Sequence, residues 1–486
     1  MRLFDSKSKS KIEINPDKNG VLNIYLCGPT VYDDAHLGHA RSAVCFDLLR
    51  RTLLAMGFCV NFARNYTDID DKILNKMKEQ NCTLEKLTNR YIKAYEADMK
   101  ALNVLEPNFK PKATEYISQM IELIAKLEKM GFTYALNDGI YFDSSKDRGY
   151  FSLSRRASND NQSRLERGVA KRNESDFVLW KFDENFYPAP FGKGRPGWHS
   201  ECVAMINALF SELHIHCGGA DLLFPHHENE AAQHRCACGS ELSRIWLHNG
   251  FVKIDGEKMS KSLNNSFFVR DALREFSGEV LRFYLLQTHY RGDFNYALSD
   301  LESAKKRLDK FYRLKKRLNL AEFRDFGLNL NENSSEFKGD LKDENSREFG
   351  GEFKFKSEIA SKILQALSDD LNISKALAIF DEFIINANAK LDESPKNTAL
   401  KESVATSLKE CAMIFGVGFM NANEYFQFGV SVEFKGQIEE KIAQRNEAKK
   451  AKNFALADEI RANLAAQNII LQDTPSGTIW EKNAEF

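Results

Sequence analysis

Residues 27–41, reading CGPTVYDDAHLGHAR, constrain the fold of this chain more than any other stretch. The apolar, β-prone run VLNIYL at 21–26 precedes them and reads as a buried parallel strand. Beyond them Val44, Leu48, Leu49, Leu53 and Met56 recur at three- and four-residue steps, which is one face of a helix. The run FCVNFARNY at 58–66 then reads as a second strand. Strand, loop, helix, strand is a βαβ unit, and such units bind ligands at the carboxyl ends of their strands. His36-Leu37-Gly38-His39 falls where the helix begins. There the backbone N–H groups and the positive dipole end favour phosphate, Gly38 permits close approach, and His36 and His39 can donate to phosphoryl oxygens.

At 486 residues the chain exceeds what one core can fill, and about three domains are expected. No stretch approaches the ~18 uninterrupted apolar residues that span a bilayer, so no membrane segment is expected. The first residues are not followed by the apolar region of an export signal. Nine scattered cysteines, an odd number, then point to reduced thiols in a cytoplasmic protein, any special one being metal-bound or catalytic. A net charge of −1 excludes a generally basic nucleic-acid binder, so contact with RNA would rest on local patches.

After the second strand, TDIDDK at 67–72 puts polar groups at its carboxyl end. Thr114 reads as the N-cap of a helix with Ile117, Met120, Ile121, Ile124 and Leu127 on its apolar face and Gly131 just past its end. Residues 132–195 change character: Asp138-Gly139 is a turn signal between short strand-like runs, and 154–175 is polar, so this region reads as an insertion between two halves of a nucleotide-binding fold. Core-like sequence returns at 196–250, where residues 225–234 suit a helix opened by Pro225. Asp255-Gly256 implies a hairpin leading into a loop rich in Lys and Ser. Residues 301–317 form a strongly basic helix, either a solvated face or one that meets RNA. Residues 321–355 are polar and aperiodic and read as a linker; 356–420 are helical again, and the tail from 435 holds a basic helix pair.

His226 and Glu230 lie four apart and share a helical face, a common way to present two metal ligands. Cys27, at a strand end, and Cys202, in GWHSEC, would complete a set that binds Zn²⁺ well. Spacing alone does not choose them over Cys236, Cys238 or His227. Lys258-Met259-Ser260-Lys261-Ser262 offers two lysines and two hydroxyls able to neutralise a pyrophosphate leaving group.

Together, CGPTVYD-x-x-HLGHAR, NYTDIDDKI, GWHSEC, FPHHENE, HNGFV and KMSKSL resemble the cysteinyl-tRNA synthetase family of class I aminoacyl-tRNA synthetases, and RNEAKKAKNFALADEIRANL and DTPSGTIW extend the resemblance into the tail. The resemblance implies an α/β Rossmann-type catalytic domain with an insertion, followed by C-terminal helical tRNA-binding domains. The expected divisions are 1–131 and 196–250 for the two catalytic halves, 132–195 for the insertion, 251–320 for the KMSKS and stem-contact region, 321–355 for the linker, 356–425 for a helical bundle and 426–486 for a small anticodon-binding domain. It also implies one zinc ion on Cys27, Cys202, His226 and Glu230, with the substrate's sulfur as a further ligand. Such a site separates cysteine from the nearly isosteric serine because Zn²⁺ deprotonates a coordinating thiol. Discrimination of ~10⁴ needs ~5.5 kcal/mol, within reach of a metal–thiolate bond, so no editing site is expected.

By the same resemblance His36 and His39, with Gly38, serve the ATP phosphates; Lys261 and Lys258 take the β,γ-phosphates, and Mg²⁺ accompanies ATP. Asp221 is implied for the ribose, Trp246 for the adenine side, and Thr30, Thr67 and Trp198 for the amino-acid pocket. The chain departs from the family's glycine-rich HGGGSD-like loop at Cys217 and Ala220. The implied reaction is activation of L-cysteine with ATP, then transfer to the terminal adenosine of tRNA(Cys) by a monomeric enzyme. Two alternatives are a ligase joining cysteine to a small amine and a non-catalytic tRNA- or zinc-binding protein.

Overall fold

The computed structural model describes residues 1–156, 171–254, 257–258, 267–323, 355–474 and 477–482. A short antiparallel pair, β1 (Arg2–Asp5) and β2 (Ser10–Glu13), leads into the βαβ unit of β3 (Val21–Leu26), α1 (Leu37–Ala55) and β4 (Cys59–Arg64). The strands β3 and β4 are parallel neighbours, paired from Val21 with Cys59 to Leu26 with Arg64. Both are buried on two faces, which is why their sequences are nearly continuous apolar runs. Val44, Leu48, Leu49 and Leu53 are buried as their spacing predicts; Met56 lies just past the end of α1 and is 36 % exposed.

Next come α2 (Asp71–Gln80), α3 (Leu84–Ala101) and α4 (Ile117–Lys129). Thr114 does not cap α4. It lies inside a 3-10 turn, and its N–H and hydroxyl both donate to Asp68, at 2.9 and 2.6 Å. A tertiary acceptor at the end of the second strand outcompetes the local cap. Gly131 does end the helix, at φ +80.

The insertion forms an antiparallel sheet in the order β5 (Thr133–Leu136), β6 (Gly139–Phe142), β7 (Phe177–Tyr187), β8 (Gly194–Pro196). Asp138 and Gly139 turn β5 into β6 as expected. Most of the polar stretch 154–175 lies outside the described residues. Leu179 and Trp180 of β7 pack in one core with Val203 and Ala232 of the two helices that follow.

Those helices are α5 (Trp198–Leu209) and α6 (Glu228–Cys238), flanking β9 (Ile215–Gly219); β10 (Ile245–Asn249) closes the central sheet. Its order is β10-β9-β3-β4, all parallel, so the chain reverses direction across the sheet between β3 and β9. Pro225 does not open α6. The Phe224–Pro225 peptide bond is cis, Phe224 is extended at φ −143, ψ 133, and residues 223–227 make a π-turn before the α-helix starts at Glu228. A residue before proline is pushed out of the helical region, and that moves the start of the helix.

After β10 come β11 (Val252–Ile254) and β12 (Glu257–Lys258), paired antiparallel as the expected hairpin requires, then α7 (Val269–Glu275), α8 (Gly278–Leu286), β13 (Phe294–Tyr296) and α9 (Leu298–Arg317). The linker 321–355 falls mostly outside the described residues. The helical region holds α10 (Glu358–Leu367), α11 (Ile373–Glu393), α12 (Thr398–Phe415) and α13 (Ala422–Phe426). The tail is α14 (Val432–Lys450), α15 (Phe454–Ala465) and the hairpin β14 (Ile469–Thr474) and β15 (Gly477–Lys482), with its own small core around Ile442, Leu464 and Trp480.

One apolar core runs from α1 and α3 through α8 and α9 into α10, α11 and α12. The basic helix α9 is built into it: Leu301, Leu308, Phe311, Tyr312 and Leu314 are buried. Many of its cations are spent internally. Arg307 pairs with Asp381, Arg317 with Asp392, and Arg313 and Lys316 with Glu481. Lys315 donates to the Gly418 and Met420 carbonyls at 2.8 and 2.6 Å. The charge run is chiefly a clamp on the C-terminal elements, with Lys306 and Lys310 left exposed. The sequence could not separate the two readings because the acids that answer it lie 70 or more residues away.

Candidate active site

The reversal between β3 and β9 places two strand ends side by side, and four donor groups converge there. Cys27 follows β3, Cys202 lies on α5, His226 sits in the π-turn and Glu230 in the first turn of α6. Their ligand atoms all lie within 4.8 Å of one another. The two Sγ atoms are 3.7 Å apart; Cys202 Sγ is 3.7 Å from His226 Nε2, and His226 Nε2 is 2.7 Å from Glu230 Oε1. His226 and Glu230 meet as an i,i+4 pair where the π-turn runs directly into α6.

A second overlapping set, Cys27, His216, His227 and Glu230, also meets the same 4.8 Å limit. His216 Nε2 is 2.7 Å from Glu230 Oε2, and His227 Nε2 is 3.3 Å from Cys27 Sγ. His227 Nδ1 in turn meets His248 Nε2 at 2.8 Å, and His248 Nδ1 meets Ser6 Oγ at 2.8 Å. Sequence reasoning left His227 as an alternative to His226 and missed His216, His248 and His199. The signal for His216 is its place on a strand among apolar neighbours, where a polar residue needs a buried partner. Cys236 and Cys238, also left open, belong to neither set; Cys236 is in the α6 core and Cys238 is exposed.

The donor set fits a soft dication. Burial, ahead of its neighbours, pushes the Cys27 thiol up to about 12, and the bond to Cys27 followed by burial pushes Cys202 well up. Burial works against charge on His226, yet the Glu230 carboxylate holds its imidazole above the ordinary value; burial also opposes charge on Glu230, but His226 and His216 hold it well below. Burial first, and then His216, drives His227 well down, so it is a neutral imidazole. A metal cation reverses the penalty on the two thiols, because its charge stabilises coordinating thiolates.

Cys217, at the position where the chain departs from the family's loop, is no part of this cluster. Successive residues of a strand face opposite ways. His216 therefore faces the donor cluster while Cys217 packs with Leu22, Leu26 and Leu247 on the other side, fully buried. Ala220 follows β9, its N–H donating to the Asn249 carbonyl at 2.8 Å, and Asp221 next to it is exposed at the strand end.

Trp198 is 38 % exposed and its ring stacks on His226 at 4.2 Å and 20°, so one face is open beside the cluster. Thr67 is buried and donates to Glu201 Oε2 at 2.7 Å; burial pushes the Glu201 carboxyl well up, toward the neutral acid. Thr30 pairs with Thr67 in a parallel bridge. Gly28, between Cys27 and this bridge, is required: a Cβ there would meet the Asn65 carbonyl oxygen at 1.7 Å. Trp246 does not suit the adenine side. It is 1 % exposed, and its ring stacks on His216 at 4.7 Å and 16°, walling the cluster from within.

At the start of α1 the histidines act first on their own backbone. His36 is the N-cap: its Nδ1 accepts from the Gly38 N–H at 3.1 Å, and His39 Nδ1 accepts from the His36 N–H at 3.3 Å. The His39 N–H goes to the His36 carbonyl at 2.9 Å and the Leu37 N–H to the Phe267 carbonyl at 3.1 Å. The helix N-terminus is thus engaged internally, with the Gly38 N–H held by His36. With both Nδ1 atoms accepting, each neutral ring carries its proton on Nε2. The rings stack at 3.7 Å and 16°, presenting two Nε2 donors together. Lys258 lies on β12 opposite Lys253, and Lys261 lies outside the described residues.

Comparison with known proteins places the fold and the whole chain. Residues 13–306 match the family described as tRNA synthetases class I (C) catalytic domain, and residues 362–420 match the DALR domain. A methionyl-tRNA synthetase from Mycobacterium tuberculosis, solved with methionyl-adenylate, shares the fold at a TM-score of 0.52 and 14% identity, over 84% of this chain and 91% of that one. The fold is that of the class I tRNA synthetases. Within that class the chain is 63% identical over 483 residues to the cysteine--tRNA ligase of Campylobacter jejuni, covering 99% of both, and 55% identical over 493 residues to that of Campylobacter concisus, covering 100% of both. The chain belongs to the cysteine--tRNA ligase family.

Proposed function

We propose that the chain activates L-cysteine with ATP and transfers it to tRNA(Cys), the activity for which its relatives are named. The observation that carries this reading is the convergence of Cys27, Cys202, His226 and Glu230 at the strand reversal, beneath the exposed face of Trp198. Zn²⁺ bound there would supply a thiophilic centre that takes the substrate's sulfur as thiolate, which serine's hydroxyl cannot match. Trp198 offers an apolar wall, and Thr30 and Thr67 stand on the loops that close the pocket.

In the first step the cysteine carboxylate attacks the ATP α-phosphorus; a P–O bond forms, the bond to the β-phosphate oxygen breaks, and pyrophosphate leaves with that electron pair. The Nε2 donors of His36 and His39 stabilise charge as it develops on the phosphoryl oxygens. Lys258 and Lys261 are the cations for the β,γ-phosphates, Mg²⁺ accompanies ATP, and Asp221, exposed just past β9, serves the ribose hydroxyls. No side chain is assigned as general base, since positioning and charge stabilisation suffice for this chemistry. In the second step the terminal adenosine's 2′-OH attacks the adenylate carbonyl and AMP leaves. Residues 356–486 serve the tRNA.

Labelled cysteine with ATP, Mg²⁺ and zinc-replete protein, with and without unfractionated tRNA, tests both steps. Cysteine-dependent pyrophosphate exchange with acid-precipitable charging is expected. Exchange without charging means a small-molecule acceptor, and neither activity in zinc-replete protein sinks the proposal.

A further inference from the structure

The segment entering α1 is paired with the segment entering α7. The Val269 N–H donates to the Ala35 carbonyl at 2.9 Å and the Leu37 N–H to the Phe267 carbonyl at 3.1 Å, with His36 and Phe268 facing each other in an antiparallel bridge. Beside this bridge Arg270, in the first turn of α7, lies 2.5 Å from Asp34 Oδ2 and 5.5 Å over the Phe268 ring. The Asp34 side chain is 12 % exposed. Asp98, from α3, faces the same pair: burial and then Asp34 raise its carboxyl to about 6, with Arg270 acting the other way.

Stability does not account for Arg270. A cation in the first turn of a helix opposes the helix dipole, and an ion pair with one half-exposed partner returns only ~0–1 kcal/mol. What the pair controls is register. The two backbone bonds set where His36 sits, and the His36 ring is then fixed by its bond from Gly38 and its stack on His39. Asp34 lies two residues before His36, and Arg270 two residues after Phe268, so the ion pair closes the open end of this bridge.

We propose that Asp34 and Arg270 are positioning residues for the activation step, locking residues 267–269 against residues 35–37 and so placing the His36–His39 donors. This rests on the ligase activity proposed above.

The test uses the full-length, zinc-replete chain and its variants Asp34→Asn, Arg270→Gln, Arg270→Lys and the swap Asp34→Arg with Arg270→Asp. Cysteine-dependent pyrophosphate exchange and melting temperature are measured for each. Asp34→Asn and Arg270→Gln are expected to lower kcat about 10- to 100-fold, the scale of an ångström-level misplacement, with the KM for cysteine and the melting temperature nearly unchanged. Arg270→Lys should retain most of the activity, and the swap should recover activity over both neutral variants. Unchanged kcat in those two overturns the proposal. So does a fall in melting temperature that accompanies the activity loss, which assigns a structural role, or a swap no better than the neutral variants. Absence of exchange in the unaltered chain would instead refute the ligase reading, and the same assay reads it separately.

Discussion

Each of Cys27, Cys202, His226 and Glu230 meets a specific partner, and the consequences of removing one follow from its chemistry. Cys27→Ser replaces a soft thiolate donor by a hydroxyl that a metal deprotonates poorly. It should lower bound zinc, read by metal analysis, and cut cysteine-dependent pyrophosphate exchange by roughly 10²-fold or more, while ATP binding persists. Full zinc with unchanged exchange kinetics would remove the cluster from the mechanism. Asp98 yields a second, independent prediction. Its folded value of about 6 exceeds the ordinary 3.8, so the folded chain holds this proton more tightly than the unfolded chain does. The stabilisation that proton brings is complete below the ordinary value and is lost as pH rises through about 6. Asp98→Asn should therefore raise stability by about 1–2 kcal/mol near neutral pH and by much less near pH 4, as melting at the two pH values would show.

Among the elements, α9 shows how a charge pattern can mislead. Eight cations in one helix suggest nucleic acid, yet the helix answers acids contributed by α11 and β15. Glu481, 6 % exposed on β15, is the junction. Burial raises its carboxyl, but Lys316 and Arg313 outweigh that and hold it below the usual glutamate value. Its contribution is present above that usual value and fades as pH falls through the depressed one. Glu481→Gln should cost about 1–2 kcal/mol and loosen the terminal hairpin from α9, detected as faster proteolysis after residue 426 at neutral pH. Proteolysis at the unaltered rate would show that other contacts, such as the Gln427 side-chain amide donating to the Trp480 carbonyl at 3.2 Å, hold the tail without the acid.

For the molecule as a whole, the catalytic half and the helical region share one apolar core. Asp47 and Arg51 of α1 and Arg282 of α8 form a buried cluster: Asp47 accepts from Arg51 at 2.7 Å and from Arg282 at 2.5 Å. Arg51 also donates to the Met413 carbonyl, and Arg282 to the Phe415 carbonyl, at the end of α12. A chain truncated after residue 355 would expose the α1 and α8 faces that α10 and α12 cover and leave both guanidinium groups short of acceptors, at several kcal/mol. Such a fragment should fail to give a cooperative melt or pyrophosphate exchange, whereas a truncation after residue 426 should retain a cooperative transition because the tail has its own core. A stable, active 1–355 fragment would disprove the shared core.

The sequence by itself determined the βαβ start, the helix faces and the identity of the signature motifs, because those depend on local periodicity and on residue types a few positions apart. Val21–Leu26, the buried face of α1 and the 138–139 turn follow from such local rules. Only the tertiary structure decided which groups meet. Cys27 and Cys202 are separated by 175 residues and converge because β9 lies beside β3. The π-turn at His226, the inward burial of Trp246, the core-facing side of Cys217 and the use of α9 as a clamp all depend on neighbours far along the chain. Whether a polar side chain serves a ligand or a distant part of its own protein is settled by long-range packing, which local sequence does not encode.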